Sequence, residues 1–268
     1  MQIDLTGPPQ TMLATLYAKA VDADATNSVL HDQFAKAVVA QIDYDWSRTT
    51  ITPRSAPGVA LRSAHFDRWT TQFLAVHPEA TVVHLGCGLD ARVFRLDPGP
   101  DVHWFDVDFP DVIALRERVF PRRDNYTMIP AAITPPDWLV QVRTDRPTLV
   151  LGEGLTMYLT EADGITLLRR VVERFPSGEL QFDAFSAFGI RFQVINGVVR
   201  RSGSTLHWAV DSAADIVDAV PGVRPLVVEP VFQAHGFEEL NRSYRVVAKV
   251  MGKIPGLRTI STYHRYAF

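Results

Sequence analysis

The sequence predicts an α/β protein built on a Rossmann-like, mostly parallel sheet. Short β-branched segments alternate with amphipathic helical segments between residues 79 and 186, which is typical of a parallel sheet covered on both faces. The first of these segments runs directly into a glycine-rich turn and a helical segment. The chain has 268 residues, of which 47% are hydrophobic and 21% charged, so one large domain can bury a sizeable core.

Helical periodicity dominates ahead of the first predicted strand. Residues 10–41 repeat apolar side chains, such as Leu13 and Leu16, at helical spacing. A further amphipathic helix is predicted over residues 59–76, with Phe66 among its apolar positions. These segments therefore predict a helical cap that precedes the sheet.

Seven strands are predicted in all. Five belong to the alternating region. The last two strands lie close together in the sequence near the C-terminus, which favours their antiparallel addition at one edge of the sheet. The predicted strands span residues 81–85, 102–107, 126–129, 148–151, 180–185, 226–229 and 259–268.

Charge and cysteine content exclude several classes of function. The net charge is −3, so no basic excess attracts a phosphate backbone, and we expect no nucleic-acid partner. The single cysteine, Cys87, can form neither an internal disulfide nor a cysteine-rich metal centre, and we predict no bound metal. The first residues lack a basic and apolar leader, and no run of about 18 apolar residues occurs. We therefore expect a cytoplasmic protein with no membrane partner, while its oligomeric state stays open.

The glycine-rich turn matches a nucleotide-binding fingerprint. It contains Gly86 and Gly88 and places Ala91 where the third small residue of the G-x-G-x-x-G/A pattern belongs. An acid at the end of the second strand, Asp106 or Asp108, stands where a carboxylate can accept hydrogen bonds from ribose hydroxyls. The pattern favours a ligand that contains a nucleoside over a plain strand–turn–helix connection, but it does not say which nucleoside.

Three blocks in order make a more specific resemblance. HLGCGLDARVFRL, WFDVDFPDVIALR and LGEGLTMYL together resemble the leucine carboxyl methyltransferase superfamily, and in style its bacterial polyketide-type O-methyltransferases. The resemblance covers most of residues 11–160 and, more loosely, the C-terminal GLRTISTYHRYAF. It implies a class I methyltransferase fold with a seven-stranded sheet, S-adenosylmethionine as the cofactor, and methyl transfer to a carboxylate or hydroxyl of a small, aromatic or polyketide-like metabolite.

The predicted helices and strands also divide the chain into parts. We expect a single methyltransferase domain over residues 1–268. Its parts are a helical cap (1–78), a cofactor-binding core (79–186), a lid insertion (187–222) and a C-terminal sheet edge (223–268).

The resemblance assigns residues to the two ends of the cofactor. Gly86 and Gly88 match the loop that passes under the amino-acid part. Asp108 matches the acid that holds the ribose, with Asp106 as the second choice. Arg62 matches an arginine that pairs with the methionine carboxylate, a task that suits a planar guanidinium, although on its helix it could also be a solvated surface charge.

Further residues complete the predicted site. Glu153 matches an acid near the cofactor's amino group and the methyl-transfer site, and with Tyr158 it is a predicted catalytic residue. Lys19 corresponds loosely to a basic residue that closes over the cofactor. Ala132 stands where the family usually carries an acid for the adenine amino group. Adenine would then be held by backbone groups and by apolar contact with Ile133.

The acceptor and the reaction class keep alternatives. A carboxylate acceptor is already ionised and needs no base, whereas a hydroxyl would benefit from one, for which His31, His65 and His207 are candidates. An NAD(P)-dependent oxidoreductase could use the same glycine fingerprint, although the sequence contains no Tyr-x-x-x-Lys pair. A protein that binds S-adenosylmethionine without catalysis is the third possibility.

Overall fold

The computed structural model describes residues 9–191, 205–237, 240, 242–254 and 256–268. Part of the predicted lid, residues 192–204, therefore lies outside the described residues. Within the described ranges, no helix is both long and apolar enough to cross a lipid bilayer.

The described elements alternate as the sequence predicts. The strands are β1 (Thr81–Leu85), β2 (His103–Asp108), β3 (Tyr126–Pro130), β4 (Thr148–Gly152), β5 (Gly178–Phe185), β6 (Arg224–Pro230) and β7 (Ser261–Ala267). The α-helices are α1 (Pro9–Ala23), α2 (Gln33–Gln41), α3 (Ala56–Val76), α4 (Arg92–Leu96), α5 (Pro110–Val119), α6 (Glu161–Arg174), α7 (Ala187–Arg191), α8 (Ala213–Ala219) and α9 (Arg242–Met251). Short 3-10 turns cover Trp46–Thr49, Pro136–Gln141, Thr156–Tyr158 and Val231–Gln233.

These strands form a seven-stranded sheet in the order β3-β2-β1-β4-β5-β7-β6. The pairs among β1 to β5 are parallel, whereas β7 runs antiparallel to both β5 and β6. The predicted late antiparallel addition is present, with one refinement. The last strand inserts between β5 and β6, so that β6 forms the edge.

Each face of the sheet packs against its own apolar core. Along β1, Val82 and Val83 point to opposite faces because side chains alternate along a strand. Val83 joins the core that includes α6 and α8, while Val82 joins the core that receives Leu13 and Leu16 of α1. The N-terminal cap is thus held to one face of the sheet, above the carboxyl end of β1.

A buried arginine fixes the glycine-rich turn to the second strand. Arg116 of α5 has none of its side chain exposed. It donates to the carbonyl oxygens of Gly88 and Asp90, at 2.7 and 2.9 Å, and to the Asp106 carboxylate and the Tyr126 hydroxyl. Its charge is balanced by Asp106, and its Nη1 also donates to two backbone carbonyls of the turn, whereas its Nε has no partner among the described residues. The turn is therefore anchored by a side chain from outside the loop.

Replacing Arg116 by alanine should lower the free energy of unfolding by about 3–5 kcal/mol, because it leaves a buried carboxylate unpaired. Urea denaturation followed by circular dichroism measures this difference. The exposed Arg118 on the same helix supplies the matched control, and Arg118→Ala should change stability by less than about 0.5 kcal/mol. Equal losses in the two variants would contradict the anchoring role of Arg116.

Candidate functional site

A cavity of about 550 Å³ opens at the carboxyl ends of the central strands and lies beneath α1. Open α/β sheets place their ligands at this edge. Nine of the ten predicted site residues line the cavity: Lys19, Arg62, Gly86, Gly88, Asp108, Ala132, Ile133, Glu153 and Tyr158. The structure thus brings together residues that the sequence spreads from the cap to the fourth strand.

The glycine turn is shaped so that no side chain obstructs its backbone. Gly86 and Gly88 have φ angles of +60° and +50°, which residues with a Cβ atom rarely adopt. A Cβ atom on Gly86 would lie 2.9 Å from Leu155 Cδ1, and one on Gly88 would lie 3.0 Å from Met12 Cγ. Both glycines are therefore required by backbone conformation, and their lack of a Cβ atom leaves the backbone open to a ligand.

Asp108 closes the second strand beside this turn. Its Oδ2 accepts a hydrogen bond from the Gly88 amide and its Oδ1 accepts one from the Phe109 amide, both at 2.7 Å. Burial raises the pKa of the Asp108 carboxyl, and the two amides offset part of that shift. Each oxygen keeps a lone pair, so the carboxylate can accept further hydrogen bonds from a pair of hydroxyl groups.

Asp106 does not reach the cavity, contrary to the sequence prediction. Its carboxylate accepts from Arg116, from the Tyr126 hydroxyl and from Trp104 Nε1, and its side chain is 1% exposed. It projects to the same side of β2 as Asp108, but it lies two residues, or about 6–7 Å, deeper along the strand. Its charge therefore serves the buried Arg116.

One guanidinium is shared by two carboxylates at the centre of the cavity wall. Arg62 Nε lies 3.1 Å from Glu153 Oε1, and Arg62 Nη1 lies 3.4 Å from Asp183 Oδ2. Its side chain is 25% exposed, so it is neither a solvated surface charge nor a fully buried one. The guanidinium packs beside Gly154, where a Cβ atom would lie only 3.1 Å from Arg62 Nη1. Arg62 is thus oriented into the cavity by charges on either side.

Glu153 is an ionised carboxylate enclosed by donors. Its Oε1 accepts from Arg62 and from Ser63 Oγ, at 2.7 Å, and its Oε2 accepts from Arg92 Nη2 at 2.6 Å. Burial raises the pKa of Glu153, but Lys19, Arg92 and Arg62 outweigh burial and hold that pKa below its usual range. Glu153 is therefore suited to accept a hydrogen bond from a cationic group and unsuited to remove a proton.

The cap is tied to the glycine turn by a buried ion pair. Lys19 of α1 lies 3.0 Å from Asp90, and their side chains are 4% and 7% exposed. Asp90 also contacts Arg92 and Arg95, at 3.3 and 3.2 Å. The position of α1 over the cavity therefore depends on charges in the loop beneath it.

The remaining predicted residues lie at two ends of the cavity. Ala132 and Ile133 follow β3, where the Ile133 carbonyl accepts from Trp138 Nε1 at 3.0 Å. Tyr158 lies beyond β4, and burial raises the pKa of its phenol. Cys87 is buried within the turn, and burial raises the pKa of its thiol well above the usual value, which disfavours the reactive thiolate.

The three candidate bases do not lie on the cavity. His31, His65 and His207 are absent from the lining in the described part of the chain. His65 stacks on Tyr263, with ring centroids 4.1 Å apart, and burial with nearby positive charge lowers its pKa to about 3. His65 is therefore a neutral packing residue.

Three residues that organise the site are not among the site residues predicted from the sequence. Ser63 and Arg92 hold Glu153, and Asp183 of β5 lines the cavity beside Arg62. Asp183 lies near the carboxyl end of β5, but Glu179 and Gln181 alternate with it along the strand, so the local sequence does not single it out. Ser63 carries no local indication either, since its role depends on a contact with a residue 90 positions away.

The sheet order and this cavity define the class I methyltransferase fold. A DUF574 family protein from Streptomyces avermitilis is similar in structure, with a TM-score of 0.59, 12% identity and coverage of 93% of this chain and 96% of that one. A proposed methyltransferase from Thermobifida fusca also has a TM-score of 0.59, at 13% identity and 93% coverage of both chains. The predicted fold class is confirmed.

The chain belongs to the leucine carboxyl methyltransferase family, whose model matches residues 10–172. It is 41% identical over 266 residues to the tetracenomycin polyketide synthesis O-methyltransferase TcmP of Streptomyces glaucescens, covering 99% of this chain and 98% of that protein. It is 38% identical over 261 residues to the S-adenosyl-L-methionine-dependent methyltransferase dpfgK of Gibberella zeae, covering 89% and 87%. The family recognised from the three sequence blocks is confirmed.

Replacing Glu153 by glutamine should make the free energy of unfolding depend less on pH under acidic conditions. Because the folded state lowers the pKa of Glu153, its charge stabilises the fold above its ordinary value of 4.5, and that contribution is lost as the pH falls below it. The free energy of unfolding, measured from about pH 6 to pH 3, should fall less steeply in Glu153→Gln than in the unmodified protein. The exposed Glu161 provides the control, and Glu161→Gln should keep the original slope.

Proposed function

We propose that this S-adenosylmethionine-dependent methyltransferase transfers its methyl group to oxygen, on a carboxylate or hydroxyl of a small, aromatic or polyketide-like acceptor. The observation that carries the proposal is a single cavity with two different ends. One end holds the glycine turn and Asp108, and the other holds apolar and aromatic side chains from β5, β7 and the segments beside them: Met157, Tyr158, Phe185, Leu206 and Tyr263. The name of the relative TcmP supports oxygen as the methylated atom.

The residues on the cavity fit S-adenosylmethionine. The open backbone of the glycine turn accommodates the amino-acid part, and Asp108 has lone pairs for the ribose hydroxyls. Arg62 is placed to bind the methionine carboxylate, and Glu153 to accept from the ammonium group. Adenine would lie near Ala132 and Ile133, with apolar contact and backbone groups in place of a side-chain acid.

The protein's contribution to the reaction is position and exclusion of water. When bound, S-adenosylmethionine supplies a methyl group attached to a positively charged sulfur. An oxygen nucleophile in line with the carbon–sulfur bond can attack that methyl carbon, and the sulfur leaves. The cap helix α1 covers the cavity, and the buried charges around Glu153 hold the cofactor's amino-acid part. A carboxylate acceptor needs no base, which agrees with a Glu153 that already carries three donors. A hydroxyl acceptor would lose its proton either to solvent or to another group that lines the cavity.

Titration calorimetry should show binding of S-adenosylmethionine and no binding of NADH, because the family and the site favour the former. Replacing Arg62 by alanine should weaken that binding by about tenfold or more, since it removes a charge-assisted contact to a carboxylate. Arg68, on the same helix but off the cavity, is the matched control, and Arg68→Ala should bind with unchanged affinity. Unchanged binding in Arg62→Ala would overturn its assignment, and NADH binding would favour the oxidoreductase alternative.

Turnover should be detectable with small aromatic carboxylic acids or phenols as acceptors. Mass spectrometry of the products identifies methyl transfer, and mild alkaline hydrolysis separates a methyl ester, which is cleaved, from an aryl ether, which persists. Release of label from methyl-labelled cofactor without acceptor serves as the background. Tight cofactor binding with no turnover across the acceptor series would favour a non-catalytic binding protein.

A further inference from the structure

Asp183 is a buried carboxylate on the cavity with few hydrogen-bond donors of its own. It lies on β5, its side chain is 3% exposed, and its Oδ1 accepts one hydrogen bond, from the Gly154 amide at 2.6 Å. Its Oδ2 has a single longer contact, 3.4 Å to Arg62 Nη1. A buried anion with so few donors is costly unless a ligand completes its surroundings.

Glu153 and Asp183 both contact Arg62, but Glu153 has more hydrogen-bond donors around it. Glu153 lies closer to Arg62 and also accepts from Arg92 and Ser63. Asp183 has neither of those additional donors. Consistently, burial raises the pKa of Asp183 above its usual value despite Arg62 and the Gly154 amide, whereas the pKa of Glu153 is lowered. The unsatisfied negative charge of this pair therefore resides on Asp183.

The described lining of the cavity holds more carboxylates than cationic side chains, although arginines behind it pair with two of them. Its described lining contains two cationic side chains, Lys19 and Arg62, and four carboxylates, which are Asp90, Asp108, Glu153 and Asp183. Asp90 pairs with Lys19, and Glu153 pairs with Arg62 and with Arg92 behind it. Asp108 is held by backbone amides and faces the turn. The arrangement suits a ligand that brings positive charge close to Asp183.

Asp183 also stands at the boundary between the two ends of the cavity. It binds Gly154, which follows Glu153 at the end of β4, and Phe185 of the apolar end lies two residues further along β5. With the amino-acid part at Arg62 and the acceptor beside Phe185, the reacting sulfur must lie between them. This conclusion rests on the cofactor placement in the proposed function.

We propose that Asp183 is the counter-charge for the sulfonium of S-adenosylmethionine, and that it makes the site discriminate the cofactor from its demethylated product. During transfer the methyl carbon–sulfur bond breaks, its electron pair stays on sulfur, and the methyl carbon bonds to the acceptor oxygen. The sulfonium becomes a neutral thioether. The attraction to Asp183 is lost at that moment, so Asp183 contributes to binding of the cofactor but not to binding of the product, S-adenosylhomocysteine.

Titration calorimetry with each of the two compounds tests this assignment, because they share the ammonium, carboxylate, ribose and adenine and differ at sulfur. Replacing Asp183 by asparagine should weaken binding of S-adenosylmethionine by about tenfold, as expected for loss of a charge a few ångströms away in a partly screened site. Binding of S-adenosylhomocysteine should change by less than about twofold. The ratio of the two dissociation constants is the decisive readout.

Two further variants separate charge from structure. Asp183→Glu keeps the charge and should keep the preference for the cofactor, even if both affinities fall. Asp108→Asn removes a carboxylate on the ribose side and should weaken the binding of S-adenosylmethionine and of S-adenosylhomocysteine equally. Thermal unfolding of each variant verifies that it is folded.

The outcomes are distinct. An equal loss of both affinities in Asp183→Asn, or no loss of either, would overturn the sulfonium assignment and leave Asp183 as a support for Arg62 alone. Failure of the unmodified protein to bind either compound would instead overturn the proposed function.

Discussion

Arg92 lies at the junction of the cap, the glycine turn and the central sheet, with none of its side chain exposed. It contacts Asp67 of α3, Asp90 of the turn and Glu153 after β4, at 2.6, 3.3 and 2.6 Å. A buried guanidinium is stable only when its charge and its donors are matched, so these three carboxylates must be brought together when the chain folds. The same requirement places Glu153 at the cavity wall and keeps it ionised.

The alternation of charge continues outward from Arg92. Arg95 extends it through Asp67 to Asp32 beside α2, and Arg62 extends it from Glu153 to Asp183. The series therefore connects the helical cap with the far side of the site. At the cavity end of the series, Asp183 contacts one arginine, at 3.4 Å, and one backbone amide. A low-dielectric site magnifies the effect of a charge that is so weakly paired.

Much of the site could be predicted from local patterns. Gly86 and Gly88 are identified by a turn that requires positive φ, and Glu153 by an acid directly after a buried strand. Asp106 was assigned wrongly because the spacing of two residues correctly predicts a shared side of the strand, but not the depth at which each side chain lies. Asp183 and Ser63 were missed because their roles come from contacts across 121 and 90 residues.

The sequence by itself determined the alternating sheet and the glycine turn, because backbone periodicity and glycine requirements are local properties, and the family followed from the resemblance of three sequence blocks. Only the tertiary structure decided that β7 inserts between β5 and β6, that Asp106 serves Arg116, and that Arg62 is divided between two carboxylates. These outcomes depend on desolvation and on distances between charges that are remote in sequence. Desolvation and charge–charge energies are set by the folded arrangement of the groups, so the sequence of one segment does not reveal them.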